Sequence, residues 1–135
     1  MKVLTYGDIM QGGSSVFTAT ARLEDDWLVV SFSGAIRVDN PHVQLQAFID
    51  AIHLELKDKV VGAVTLDFTD LKFCNSNGFY VIMDVIESVY ENSDGPVHVR
   101  RLEKDDWQQQ TLPILLDLGS EEVRERTSFE DVRNV

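Results

Sequence analysis

Apolar and polar positions alternate over residues 16–23, and again over residues 27–33 after the acidic triplet Glu24-Asp25-Asp26. Two such runs joined by a short polar turn predict a β-hairpin. Gly34 breaks the second run, and Asp39-Asn40-Pro41 then supplies a capping side chain and a proline pre-set for a first helical turn. Beyond it, apolar residues fall at 45, 48, 49, 52 and 56, the spacing of a helix that lays one face on a sheet. Residues 60–68 are short and rich in β-branched and aromatic side chains, which predicts a buried strand. Residues 79–90 carry apolar side chains at 79, 82, 86 and 89 or 90, which predicts a second helix ended by Glu91-Asn92-Ser93-Asp94-Gly95-Pro96. Residues 97–100 read as a short strand. Proline is costly deep inside a helix and tolerated in its first turn, so Pro113 places a third helix over 111–118, capped by Thr111, rather than one starting at Asp106. Gly119 stops it, residues 123–126 read as a last short strand, and 128–132 as a terminal turn.

Strand, helix, strand, helix, strand is the order of right-handed crossovers onto a parallel sheet, so the strands beginning near 28, 60 and 97 are expected side by side. The antiparallel hairpin makes the sheet mixed. Residues 1–15 end in Gln11-Gly12-Gly13-Ser14-Ser15, a composition suited to a flexible lead-in, with an edge strand over 2–6 as the alternative. Residues 16–135 are expected to form a single domain, since 135 residues suffice for one buried core.

Composition narrows the function classes. Hydrophobic residues make up 44% and charged residues 26%, ordinary values for a soluble globular chain, and no apolar run reaches the ~18 residues of a membrane span. The net charge of -11 repels nucleic-acid backbones and anionic membranes, and suits either a well-solvated surface or a basic protein partner. The first residues lack the apolar block of a signal peptide, and the single cysteine, Cys74, cannot form an internal disulfide, so a cytoplasmic location is expected.

The stretch Asp67-Phe68-Thr69-Asp70-Leu71-Lys72-Phe73-Cys74-Asn75-Ser76-Asn77-Gly78 joins the third predicted strand to its helix through a small polar loop at 74–78. A helix start leaves about four N–H groups without intrahelical partners, so polar side chains cap it and anions are drawn to it. This stretch resembles the Asp-Ser-Ser-Gly segment of STAS domains, the anti-sigma-factor antagonists and related bacterial regulators. The resemblance extends less sharply over about residues 16–132. It implies an α/β sandwich, a mixed sheet of four or five strands with helices mainly on one face, and a protein-binding role in a signalling or partner-switching pathway. The partner it implies is an anti-sigma-type serine kinase or a phosphatase. In the family the second serine of the tetrad is phosphorylated to switch binding. Here Asn77 holds that place and Asn75 that of the aspartate, while Ser76 matches the first serine.

Asparagine accepts no phosphate, whereas a phosphate would bring about -1.5 to -2 charges. The expectation is a module that binds its partner through Asn75, Ser76, Asn77, Gly78, Phe79, Tyr80 and Met83 without gating at position 77. Phosphorylation of Ser76, or a small-ligand sensor seating an anion or nucleotide at the helix start, are the alternatives. Asp67 and Asp70 lack a third ligand at metal spacing and are expected to order the loop. His42, His53 and His98 are scattered, and phosphate-cradling and nucleophile-elbow motifs are absent from the sequence, so no catalytic residue, cofactor or metal is expected. Cys74 reads as an inert core thiol, and Trp107 either covers the core edge or presents a contact.

Overall fold

The computed structural model describes residues 2–58 and 61–133. In chain order the elements are β1 (Lys2–Gln11), β2 (Ser14–Glu24), β3 (Trp27–Ile36), α1 (Pro41–Asp58), β4 (Ala63–Cys74), α2 (Ser76–Asn92), β5 (Val97–Leu102), α3 (Asp106–Leu115), α4 (Glu121–Arg126) and β6 (Thr127–Val132). The sheet has six strands, in the order β1-β2-β3-β4-β5-β6. The first three run antiparallel to their neighbours, and β3 through β6 run parallel. The parallel neighbourhood of the strands near 28, 60 and 97 is thus as expected, with two more strands than the lower expected number. Val60, placed in the third strand from sequence, lies outside the described residues.

One sheet face is apolar. Phe17, Ala19 and Ala21 of β2, Leu28, Val30 and Phe32 of β3, and Val64, Leu66 and Phe68 of β4 are all buried. The β2–β3 and β3–β4 registers bring these period-2 sets onto the same side. Phe17, Phe32 and Phe68 stack across the three strands, with centroids 6.4 and 5.1 Å apart. The α1 stripe Leu45, Phe48, Ile49, Ile52 and Leu56 closes over this face beside Val81, Ile82, Val85, Ile86 and Val89 of α2. At about 1.5–3 kcal/mol for each large apolar side chain withdrawn from water, this two-layer core is the main stabilising term. The opposite face is polar: Arg100 reaches Asp67 and Glu130, and the Trp27 indole donates to Thr65 Oγ1 at 2.8 Å.

Several expectations need correction. Residues 2–11 form β1 over its whole length, in register with β2. Gly34 does not end its strand: with φ at 101° it sits inside β3, where a Cβ would lie 2.2 Å from the Val16 carbonyl oxygen. The third helix starts at Asp106, because Asp105 caps it by accepting from the Gln108 N–H at 3.0 Å. Pro113 is then carried in its last turns. Residues 123–126 belong to α4, and the last strand is β6, where a terminal turn was expected.

Candidate functional site

The expected loop at 74–78 shrinks to one residue. β4 runs to Cys74, Asn75 has extended backbone, and α2 begins at Ser76. Asp67 and Asp70, expected to flank the loop, therefore lie inside β4. There the strand carries one more residue than β3, since Ser31 pairs with Asp67 and Ser33 with Asp70. Asp67 bridges that bulge by accepting from Thr69 N at 2.9 Å and Thr69 Oγ1 at 2.6 Å, and its second oxygen accepts from Arg100 at 2.8 Å. Asp70 is exposed.

Asn75 fixes the start of α2 through four hydrogen bonds. Its side-chain oxygen accepts from Gly78 N at 2.8 Å, its carbonyl from Phe79 N at 3.0 Å, its amide NH2 donates to Val38 O at 2.9 Å, and its backbone N–H to Ile36 O at 3.0 Å. Asn77 donates from its side chain to Asp39 O at 2.8 Å. The two asparagines thus tie the start of α2 to the β3–α1 connection. Gly78 is buried against Ile36 and Cys74, while Ser76, Asn77 and Tyr80 are exposed.

Trp107 of α3 forms the wall facing this helix start. Its ring meets Phe79 edge-on at 6.3 Å, and Phe79 meets Tyr80 at 6.4 Å. Two adjoining hollows share Cys74 and Trp107: one of about 190 Å³ runs along Leu71, Lys72 and Phe73 to Asp105, and one of about 270 Å³ along Asn75, Ser76, Phe79 and Tyr80. Phe73 is partly exposed, with the Arg37 guanidinium 4.9 Å from its ring centre. Sequence reading missed both Phe73 and Arg37. No local signal marked them, because Thr69 and Asp70 interrupt the alternation after Phe68 and Arg37 lies on a different segment of the chain.

Met83, grouped with the helix start from sequence, lines a different groove between α2, α3 and α4. Cys74 is half-buried, and burial pushes its thiol up to about 12, the behaviour of an unreactive thiol. His42 pairs with Asp84, His53 with Asn92, and His98 with Ser128 and Glu130, three separate places. Among the described residues no group of three or more His, Cys, Asp or Glu side chains could hold a metal ion, and no helix is long and apolar enough to cross a membrane.

No family model and no curated protein matches the sequence. Solved structures match the fold. The anti-sigma factor antagonist SpoIIAA in its unphosphorylated form superposes with a TM-score of 0.55 at 10% identity, covering 84% of this chain and 88% of that one. SiaC of Pseudomonas aeruginosa gives 0.54 at 18% identity, covering 99% and 100%. An anti-sigma factor antagonist from Mycobacterium paratuberculosis gives 0.50 at 21% identity, covering 92% of each. The chain has the fold of STAS-domain anti-sigma-factor antagonists, the fold that the resemblance implies.

Proposed function

We propose that this chain is a non-enzymatic regulatory module that binds a protein partner through the start of α2 in a partner-switching pathway, a reading supported by its likeness to anti-sigma factor antagonists. The observation that carries the proposal is the state of the helix start: Ser76, Asn77 and Tyr80 are presented to solvent on a backbone held by Asn75 and by the buried Gly78. A surface fixed before encounter loses little entropy on binding. Tyr80 and Phe79, with Trp107 behind them, offer the rigid aromatic area that binding hot spots favour.

An anion sensor at this place is less well supported. Two of the four N–H groups left free at the helix start are already taken, that of Asn75 by Ile36 O and that of Gly78 by the Asn75 side chain. Asn77 keeps the acceptor position neutral, so the surface stays in the form a partner of the unphosphorylated state would bind. Candidate partners are an anti-sigma-type serine kinase or a phosphatase.

The test is recovery of partners from an extract of the native host on immobilised protein, quantified by mass spectrometry for the wild type, Asn77→Asp and Tyr80→Asp. Asn77→Asp gives up the bond from the Asn77 side chain to Asp39 O, but an acidic residue in the first turn of a helix is favourable and Asn75 still caps it, so the variant should fold. A defined protein retained by the wild type should fall about tenfold in each variant, a loss of roughly 1.4 kcal/mol. Undiminished recovery on both variants would remove this helix start as the contact surface, and a phosphate found on Ser76 in protein isolated from the host would show gating by that residue instead.

A further inference from the structure

A second groove lies on another part of the molecule, where the outer side of α2 meets the end of α3 and α4. Its volume is about 410 Å³, and it is floored by Met83, Ile86, Tyr90, Leu115 and Val123. Ile114 stands at its edge 76% exposed, the most exposed of the large apolar side chains among the described residues. The groove begins at Met83, one turn beyond Tyr80, and runs along α2 away from the helix start as far as Glu91, about 22 Å from Ser76 at 1.5 Å per residue.

The charge around the groove has one sign. Glu87 and Glu91, one helical turn apart on α2, and Asp117, in the left-handed turn after α3, contribute its carboxylates, and no lining residue is basic. None of the three takes part in an ion pair among the described residues. Glu121 and Glu122 open α4 beside it. Of the two bases of α4, Arg126 is held back over the Tyr90 ring by bonds to Gly95 O, Tyr90 O and Ser93 Oγ, and Arg124, next to Val123, donates to Leu118 O at 3.5 Å. An apolar floor with an unneutralised acidic rim fits a ligand that is apolar on one side and cationic on the other. Anionic membranes and nucleic acids are repelled by the same rim.

We propose that this groove docks an amphipathic helix of a protein partner, one that lays leucine-like side chains at i, i+3, i+4 and i+7 onto Met83, Tyr90 and Ile114 and sets Lys or Arg against Glu87, Glu91 and Asp117. This is the helix-in-groove mode of recognition, with the charges supplying orientation and on-rate. It shares no lining residue with the two hollows at the helix start, so the molecule carries two docking faces that adjoin between Tyr80 and Met83.

The probe is a synthetic helix of about 18 residues with leucines at that spacing and lysines elsewhere, and a control in which the lysines are glutamates. Amide shifts on titration are expected at residues 83–91 and 114–123, with affinity falling as salt is raised. Ile114→Glu, a change at an exposed position, should weaken binding at least about tenfold, and the Glu87→Lys, Glu91→Lys double variant should weaken it and flatten the salt dependence. Equal binding of the control peptide, shifts confined to residues 74–80, or unchanged affinity in Ile114→Glu would each overturn the proposal. So would sedimentation showing the free protein dimeric through Ile114, which would make a second copy the occupant.

Discussion

At the scale of single residues, the start of α2 is set by one asparagine and one glycine. Gly78 has no special backbone angle; its constraint is space, since a Cβ there would come within 2.7 Å of Ile36 Cγ2 and 2.9 Å of Cys74 Sγ. Ile36 is fully buried, so it has nowhere to yield. Gly78→Ala gains helix propensity of about 1 kcal/mol, but overpacking costs about 1–3 kcal/mol, so the variant should be destabilised, and urea denaturation will show its midpoint below that of the wild type. The same crowding governs Cys74. With its thiol at about 12, the cysteine is protonated at pH 8, and modification by a thiol reagent in native protein should be at least about a hundredfold slower than in urea. The sign for stability follows: above the ordinary value of 9.0 the unfolded chain releases this proton while the folded one keeps it. The contribution of Cys74 is therefore full below pH 9 and is lost as pH rises toward 12, a loss that Cys74→Ala removes. Asn75 and Asn77 were legible as polar residues at a helix start, but not as ties to Val38 and Asp39, because nothing local in the sequence records contacts across nearly forty residues.

At the scale of elements, α3 shows where reading by local rules fails. Proline preference points to a start at Thr111, yet the cap at Asp105 and a buried Gln108 place the start earlier. Gln108 is fully buried and its amide donates to Phe68 O at 2.8 Å and Leu71 O at 3.3 Å, while its oxygen accepts from Leu102 N at 2.7 Å. One side chain thus joins the bulged part of β4 to the end of β5, and α3 is held where Trp107 can face Phe79. Gln108→Leu keeps the volume and strands three backbone groups, each costing about 1–3 kcal/mol when unsatisfied, so a drop of several kcal/mol in unfolding free energy is expected from urea titration. A near-neutral result would mean that water replaces the amide. The hairpin and α1 were legible because their periods are long and uninterrupted. The extension of β4 to Cys74 was not, because Asp67, Thr69 and Asp70 look like turn formers and act instead as a bulge, with the side chain of Asp67 satisfying the displaced Thr69 N–H. β6 was missed because only Phe129 packs toward the core, with Arg101 over its ring at 4.1 Å, and the rest of its fixing comes from β5 across long-range pairs.

At the scale of the whole molecule, the two-layer arrangement leaves one sheet face and the outer helix surfaces to carry 23 acidic against 12 basic residues. The opposed effects of salt on such a molecule have different sizes. Salt weakens ion pairs such as Arg100–Glu130 and Arg101–Asp131, but their acidic partners are well exposed, and such pairs contribute little to stability. Salt also screens the mutual repulsion of a net charge of -11, which acts over the full diameter of the domain when the Debye length is about 30 Å, at 0.01 M, and over only the nearest neighbours when it is about 3 Å, at 1 M. The compact state concentrates that charge more than the unfolded chain does, so it is the state relieved by screening. Sodium chloride raised from about 0.01 to 0.5 M should therefore move the urea midpoint upward. Replacing Glu87 and Glu91 by glutamine should reduce that salt response, because both belong to the unpaired acidic side of α2. A midpoint that falls with salt would mean that the paired charges on the open sheet face, and not the net charge, dominate the electrostatics of the fold.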